Sequence, residues 1–259
     1  MTTYILLFIG GTVAGTLNVI AGGGSFLTIP LLMFLGLPAT VANGTNRVAI
    51  CLQNVAALWG FQRHKVVDWR YVLWAAVPSS FGALAGAGLA IWIGDQAFKK
   101  VLAVLMIAVT LWTLWDPLQK KQPDHHSGHD SKHDHEHQTK HRPRVLPLAF
   151  GFFLVGIYGG FVQAGVGFLI LAATTLAGLD LVRGNAVKVL SILVYSLFAL
   201  TVFAWQDKID WHLGFALAAG NVVGSQIGVR FTVLKGHRWI KAVVTITVVA
   251  LAIKLLVWG

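Results

Sequence analysis

Apolar residues occur in long runs along most of this chain, and short polar or glycine-containing segments separate the runs. Such runs predict α-helices that cross a membrane, because a spanning helix needs roughly 20 apolar residues. The first half predicts helices over residues 4–20, 25–35, 44–61, 71–93 and 97–115. The second half predicts helices over residues 146–162, 167–177, 184–205, 211–233 and 239–258. The predicted fold class is an all-α polytopic membrane protein.

The two halves repeat each other at a constant offset. Moving the sequence by 142 positions superposes residues 13–115 on the second half without a gap. Apolar identities are common in a chain that is 56% hydrophobic, so the matched polar and glycine positions carry the repeat. Examples are Gly23 with Gly165, Asn43 with Asn185, Gly82 with Gly224 and Asp68-Trp69 with Asp210-Trp211. Duplicated membrane proteins with interrupted helices are most often transporters, with the substrate at the repeat interface.

The first apolar segment of each half is interrupted by glycines. Residues 4–35 would form one straight helix of about 48 Å. That length is too great for one crossing of a core roughly 30 Å thick and too small for two comfortable crossings. The run Ala21-Gly22-Gly23-Gly24 lies in the middle of the segment. We therefore expect each half to contain a broken, re-entrant helix pair followed by three transmembrane helices.

Loop charges indicate that the two halves have opposite orientations. In the first half, the loop before residue 71 is basic, whereas its counterpart holds Lys208 against Asp207 and Asp210. The next loop shows the reverse, with more positive charge in the second half. Because cytoplasmic loops collect Lys and Arg, this swap predicts inverted repeats with both termini outside. The expected organisation is repeat one over 1–115, a His-rich cytoplasmic linker over 116–144 and repeat two over 145–259.

The composition places the chain in the cell (inner) membrane as a multi-pass protein. Only 12% of its residues are charged, and the mean hydropathy is +0.70. No carboxylate lies in a predicted span. The formal net charge of +10 is better explained by cytoplasmic loops than by a nucleic-acid partner. No ATP-binding phosphate loop, nucleophile–base pair or carboxylate pair is present, so we predict neither an enzyme nor a cofactor.

The glycine breaks are the first candidate for chemistry. Gly22-Gly23-Gly24 precedes a short predicted helix, whose open N–H groups would favour an anion. A glycine hinge or close helix packing is the alternative for any single glycine. Residues 159–168 place a second break at the equivalent position. Two equivalent breaks favour a substrate site on the pseudo-twofold axis between the halves.

Polar residues at the start of the third predicted helix of each half are the second candidate. Lys188 has apolar neighbours and aligns with Asn46 at the offset of 142. An ionisable residue inside a membrane is a functional hypothesis by default, although Arg47 and Lys188 could also extend from helix ends towards water. The predicted substrate-binding residues are Asn18, Gly23, Gly24, Ser25, Asn43, Thr45, Asn46, Arg47, Gln163, Gly165, Asn185 and Lys188.

These strings give the chain a resemblance to the sulfite exporter TauE/SafE family of membrane transporters. The resembling residues are Gly22–Phe26, Pro30, Gly36–Pro38 and Ala42–Asn46, then Gly160, Gly165, Gly167, Gly178-Leu179 and Gly184–Lys188. The resemblance covers both halves and omits the linker. It implies a secondary transporter, exporting a small sulfur-containing oxyanion such as sulfite or an organosulfonate. The mechanism expected is alternating access at the repeat interface.

The linker supports an alternative function. Its imidazoles could bind Zn, Ni or Co weakly, but a flexible tract sets no coordination geometry, and the alternative is a plain hydrophilic loop. The candidate metal ligands are His125, His126, His129, His133, His135 and His137. The alternative functions are a divalent metal-ion permease with a His-rich sensing loop, or an anion channel.

Two small-residue motifs concern helix packing. Gly82-x-x-x-Gly86 and Gly224-x-x-x-Gly228 are typical of close helix crossings. Such crossings could lie within one subunit or could form a homodimer. The partners expected are therefore a small anionic substrate, the lipid bilayer and, through these faces, a second copy of the chain.

Overall fold

The computed structural model describes the backbone of residues 1–67, 69–115, 145–176 and 179–258. Within these ranges it describes the side chains at all positions other than 70, 106–107, 109–115, 145–148, 176 and 235–258. Every regular element in these ranges is an α-helix. Three of the described helical segments are long and apolar enough to cross a membrane by length and composition, namely Thr2–Ile20, Tyr71–Trp92 and Leu181–Trp205. The linker over 116–144, with its candidate metal ligands, lies outside the described residues.

The helices follow the predicted order. The first half contains α1 (Thr2–Ile20), α2 (Ser25–Phe34), α3 (Ala39–Arg63), α4 (Trp69–Trp92) and α5 (Asp95–Trp115). The second half contains α6 (Val145–Phe161), α7 (Val166–Leu176), α8 (Leu181–Trp205) and α9 (Trp211–Trp258). The broken first segment is confirmed in both halves, as α1–α2 and α6–α7. Most boundaries lie within two residues of the predicted ones.

The third helix of each half begins earlier than predicted. The N–H of Ala42 donates to the carbonyl of Pro38 over 2.8 Å, which starts α3 at Ala39 and not at Gly44. In the second half, the Asp180 carboxylate accepts hydrogen bonds from the N–H groups of Val182 and Arg183, as an N-cap residue does. The polar residues predicted to open these helices therefore lie one to two turns inside them.

The end of the second half differs from the prediction. The prediction of separate helices over 211–233 and 239–258 is wrong, because α9 runs unbroken over 48 residues. In the first half, Gly94 adopts a φ of +75° and ends α4, and the Asp95 carboxylate that follows accepts bonds from Thr40. Gly236 has no positive φ and lies inside α9. A helix of this length extends about 72 Å.

Helices of the two halves pack in exchanged pairs. The helix α1 packs against α9, and its counterpart α6 packs against α4. Likewise α3 packs against α9, and α8 packs against α4. A Cβ on Gly82 or Gly86 would meet the backbone of α6, and one on Gly224 would meet Thr12 on α1. These motifs therefore lie at crossings within the chain, and the homodimer stays a prediction.

The helices α3 and α8 contact each other and run in opposite directions. Phe203, near the end of α8, packs beside Gly44, near the start of α3. At the other end, Phe61 of α3 shares a hydrophobic cluster with Ala186 of α8. Phe26 and Phe168 occupy equivalent positions of the repeat, and their rings stack with centroids 6.4 Å apart. These contacts therefore bring equivalent positions of the two halves together in the middle of the bundle.

Candidate functional site

Two cationic side chains lie inside the helix bundle. Arg47 on α3 is 0% exposed and Lys188 on α8 is 1% exposed. No carboxylate among the described residues is buried, so neither cation has a buried acidic partner in that part of the chain. The described ion pair, between Arg183 and Asp180, is exposed. The alternative in which Arg47 and Lys188 extend towards water is therefore wrong.

We call the first cluster the lysine centre, and it consists of Lys188, Asn185, Asn18, Gln53 and Asn221. The Lys188 ammonium donates to the carbonyls of Asn18 at 3.0 Å and Val19 at 2.7 Å, and to Asn185 Oδ1 at 2.6 Å. The amides of Asn18 and Asn221 both donate to Gln53 Oε1, at 3.4 and 3.1 Å. The centre therefore joins α8 to α1, α3 and α9.

We call the second cluster the arginine centre, and its members are Arg47, Gln163, Asn43, Tyr195 and Ser196. Arg47 donates to Gln163 Oε1 at 3.1 Å and to the carbonyls of Gly159 and Gly160, and its guanidinium lies 4.8 Å from the Phe203 ring centroid. Ser196 also donates to Gln163 Oε1, and the Gln163 amide donates to the Tyr195 hydroxyl. The centre joins α3 and α8 to the break after α6.

In both centres a cation binds the end of a broken helix. The last carbonyls of α1 and α6 carry the negative end of each helix dipole and have no partner within their own helix. Lys188 of the second half binds those of α1, and Arg47 of the first half binds those of α6. Asn43 adds a bond of 2.9 Å to the Phe161 carbonyl at the end of α6. Each half therefore supplies the cation that stabilises the broken helix of the other half.

The glycine breaks bring the two short helices together. Gly22 and Gly165 adopt φ values of +90° and +77°, a region that favours glycine. A Cβ on Gly22 would meet the backbone of Gly167, so the two breaks cross with backbone against backbone. Gly23 lies against the Phe168 ring, and Gly24 lies against Ala14 and Asn18 of α1. The first turns of α2 and α7, with their positive dipole ends, consequently lie close to each other.

The remaining predicted residues do not all lie at one place. Asn46 and Ser25 lie at the first glycine break, and Thr45 lies apart from it. Asn46 on α3 donates to Ser25 at 3.2 Å and accepts from Thr28 at 2.6 Å, which fixes α2 against α3. Thr45 faces elsewhere, because its hydroxyl accepts from the N–H of Asp210 just before α9. Thr45 therefore stabilises the approach to α9, while Asn46 and Ser25 belong to the first break.

The sequence prediction missed Asn221 of the lysine centre and four polar residues of α3 and α8, three of which belong to the centres. Gln53 and Tyr195 are equivalent positions at the offset of 142, and so are Asn54 and Ser196. All four are buried in the middle of α3 and α8. Comparing the halves for polar residues at matched positions, and not only for glycines, would have found both pairs.

Several buried polar atoms in the described part of the chain have no hydrogen-bond partner. The donors are Arg47 Nε, Asn54 Nδ2 and Asn185 Nδ2, and the oxygens are Asn221 Oδ1 and Thr232 Oγ1. An unpaired buried polar group costs about 1–3 kcal/mol, and more when charged. Three such donors, on the helices that also carry the two cations, are suited to an acceptor-rich ligand.

Metal-ligating side chains do not cluster in the part of the chain that the structure describes. No group of three or more His, Cys, Asp or Glu residues there could hold a metal ion. The six candidate histidines of the linker lie outside that part. The linker's metal binding therefore stays a prediction.

Comparison with known proteins finds one family and several relatives. The model of the sulfite exporter TauE/SafE family matches residues 7–255. The chain is 31% identical to a probable membrane transporter protein of Sinorhizobium, over 96% of this chain and 91% of the relative. It is 29% identical to a probable membrane transporter protein of Haemophilus influenzae, over 93% and 89% of the two chains. It is also 29% identical to the probable membrane transporter protein YfcA of Escherichia coli, over 97% and 88%. No solved structure matches the chain significantly.

Proposed function

The chain belongs to the sulfite exporter TauE/SafE family of membrane transporters, and we propose that it exports a small sulfur-containing oxyanion across the cell (inner) membrane. Sulfite and organosulfonates are the proposed substrates. The proposed site lies between the two halves, around the lysine and arginine centres and the crossing of the two glycine breaks.

The observation that supports this proposal best is the buried positive charge. Arg47 and Lys188 are buried without a carboxylate among the buried described residues. A charge inside a membrane protein is costly unless it is paired, and it usually marks a substrate pathway. Carbonyl contacts offset part of this cost, and an anionic substrate would offset more. The positive ends of α2 and α7 would add to the attraction.

The shape of the fold supports transport by alternating access. The antiparallel contact of α3 and α8 and the exchanged helix pairs fit two halves with opposite orientations, as the loop charges predict. In the proposed mechanism, one half rocks against the other around the site on the pseudo-twofold axis. The proposed topology places the linker in the cytoplasm and both termini outside.

The two alternative functions fit the described residues less well. A divalent cation would be repelled by Arg47 and Lys188, and no described cluster offers it ligands. An anion channel would use the same buried charges, so only the kinetics of flux can separate it from a carrier.

Purified protein in liposomes tests the proposal. Radiolabelled sulfite or an organosulfonate should leave loaded vesicles with saturable kinetics, and unlabelled anion on the other side should accelerate the flux by exchange. Cobalt should not move. Flux that neither saturates nor exchanges would establish a channel, and cobalt flux without anion flux would establish the metal permease.

A further inference from the structure

The ammonium of Lys188 has used all of its hydrogen-bonding capacity. Lysine has three N–H donors and no acceptor. In this structure the three donors are matched by three oxygens, on Asn18, Val19 and Asn185, all within 3.0 Å. The ammonium therefore has no donor left for an anion while α1 keeps its place.

The neighbouring amide of Asn185 is in the opposite situation. Because an ammonium cannot accept a hydrogen bond, the Asn185 atom 2.6 Å from Lys188 must be the oxygen. This contact fixes which way the amide points, so its nitrogen is directed away from Lys188. Asn185 is 0% exposed, and its Nδ2 has no partner among the described residues. The lysine thus holds a buried, unused donor in a defined orientation.

We propose that Asn185 contacts the bound anion directly through Nδ2 and that Lys188 is a positioning residue that orients this amide. This inference rests on the proposed transport of an anion. A hydrogen bond from the ammonium polarises the amide and makes its N–H groups better donors. Lys188 also supplies positive charge at short range without being released from the end of α1. A neutral donor in contact with the anion and a fixed charge behind it would bind without trapping the substrate.

Two substitutions at Asn185 separate its role from that of Lys188. Asn185→Leu keeps the approximate shape and removes the donor. We expect the KM for radiolabelled sulfite in liposomes to rise about tenfold or more, because a hydrogen bond to a charged group is lost, while Vmax changes little. Asn185→Asp keeps the acceptor for Lys188 but turns a negative charge towards the anion, so the KM should rise further than with Leu.

The matched control is Gln226→Leu. Gln226 on α9 also has a partly buried amide, but its Nε2 already donates to the Ala56 carbonyl at 2.6 Å. The loss of that amide should leave the KM within about twofold of the unmodified protein. Melting temperatures in detergent, with and without sulfite, show whether each variant folds and whether the anion still stabilises it.

A double-mutant cycle tests the positioning role. If Lys188 acts largely through Asn185, the combined Lys188→Met and Asn185→Leu change should raise the KM by clearly less than the product of the single changes. Multiplicative effects would contradict the positioning role. An unchanged KM in Asn185→Leu, beside a raised KM in Lys188→Met, would show that the ammonium itself contacts the anion and would overturn the proposal. If the unmodified protein neither transports nor is stabilised by sulfite or an organosulfonate, the proposed function fails before this inference is reached.

Discussion

At the scale of single residues, the two buried cations are the main polar feature of the helix bundle. Arg47 and Lys188 come from different halves, yet each binds the last carbonyls of the other half's broken helix. A cation at the C-terminal end of a helix is stabilised by the helix dipole. Both residues therefore hold the breaks in place and make the region between them electropositive.

The substitution Lys188→Met tests the contribution of one buried charge. Methionine keeps most of the stem's volume, so the protein should fold, while apparent affinity for the transported anion should fall about ten- to a hundredfold. Lys188→Arg should restore affinity only in part, because a planar guanidinium cannot match the three oxygens around the ammonium. Concentration-dependent flux in liposomes measures both.

The control for that substitution is Lys99→Met on α5. Lys99 is exposed, so its charge is screened by water and ions. Its loss should leave the affinity unchanged. Equal affinity in Lys188→Met and the unmodified protein would mean that Lys188 serves only the end of α1, and the site would then have to be sought at Arg47 or the glycine breaks.

At the scale of elements, glycines set how closely the helices approach. The crossings of α1 with α9 and of α4 with α6 are equivalent, and in both a glycine of one helix faces backbone of the other. In a membrane, close packing through small residues is a main source of helix association, because lipid tails are as apolar as the side chains and no hydrophobic effect drives the helices together. These two crossings therefore hold helices of the two halves together.

Two glycines on α4 provide a matched test of this packing. A Cβ on Gly86 would meet the Ile157 carbonyl of α6, whereas a Cβ on Gly88 would meet nothing within 4 Å. We expect Gly86→Ala to destabilise the protein by about 1–3 kcal/mol through overpacking. Gly88→Ala should be neutral or stabilising by up to about 1 kcal/mol, because alanine favours helix. Melting temperatures in one detergent compare the two, and equal values would contradict the crossing.

At the scale of the whole molecule, the duplication determines the architecture. The equivalent helices α3 and α8 meet in opposite directions, and the equivalent rings of Phe26 and Phe168 stack on each other. The proposed inverted arrangement accounts for such contacts, because equivalent residues of inverted halves meet close to their common axis. The proposed alternating access would use this arrangement, because each half would provide the same set of contacts when the site opens to its own side.

Cysteine labelling tests the proposed topology. In a background with Cys51→Ala, cysteines introduced at Thr3 and Ser131 should react with membrane-impermeant reagents from opposite faces of the membrane. Thr3 should react in intact cells and Ser131 only after permeabilisation. Labelling of both positions from the same face would contradict the inverted arrangement.

Replacement of the linker tests the metal alternative. A Gly/Ser segment of equal length in place of residues 119–142 should leave anion flux largely intact, because the linker lies outside the segments that carry the repeat. Anion flux in liposomes and expression in membranes are the two measurements. A complete loss of anion flux at normal expression would favour the metal permease over the anion exporter.

The sequence by itself determined the helical class, the duplication, both glycine breaks and the family. Each of these can be read directly along the chain, from the length of apolar runs, the positions of glycines, or matched residues at a fixed offset. It also located Arg47 and Lys188, because charge inside an apolar run is rare. The unbroken α9 was missed, since Gly236 ends no helix here although the equivalent stretch of the first half is interrupted.

Only the tertiary structure decided what the polar residues do. Thr45 and Asn46 are neighbours in sequence, yet Thr45 bonds to Asp210 and Asn46 to Ser25, because a helix turns successive residues to different faces. Lys188 has three carbonyl oxygens within reach, and two of them are about 170 positions away in sequence. Whether a lysine has a free donor depends on such distant partners, so the unused amide of Asn185 became visible only once the chain was folded.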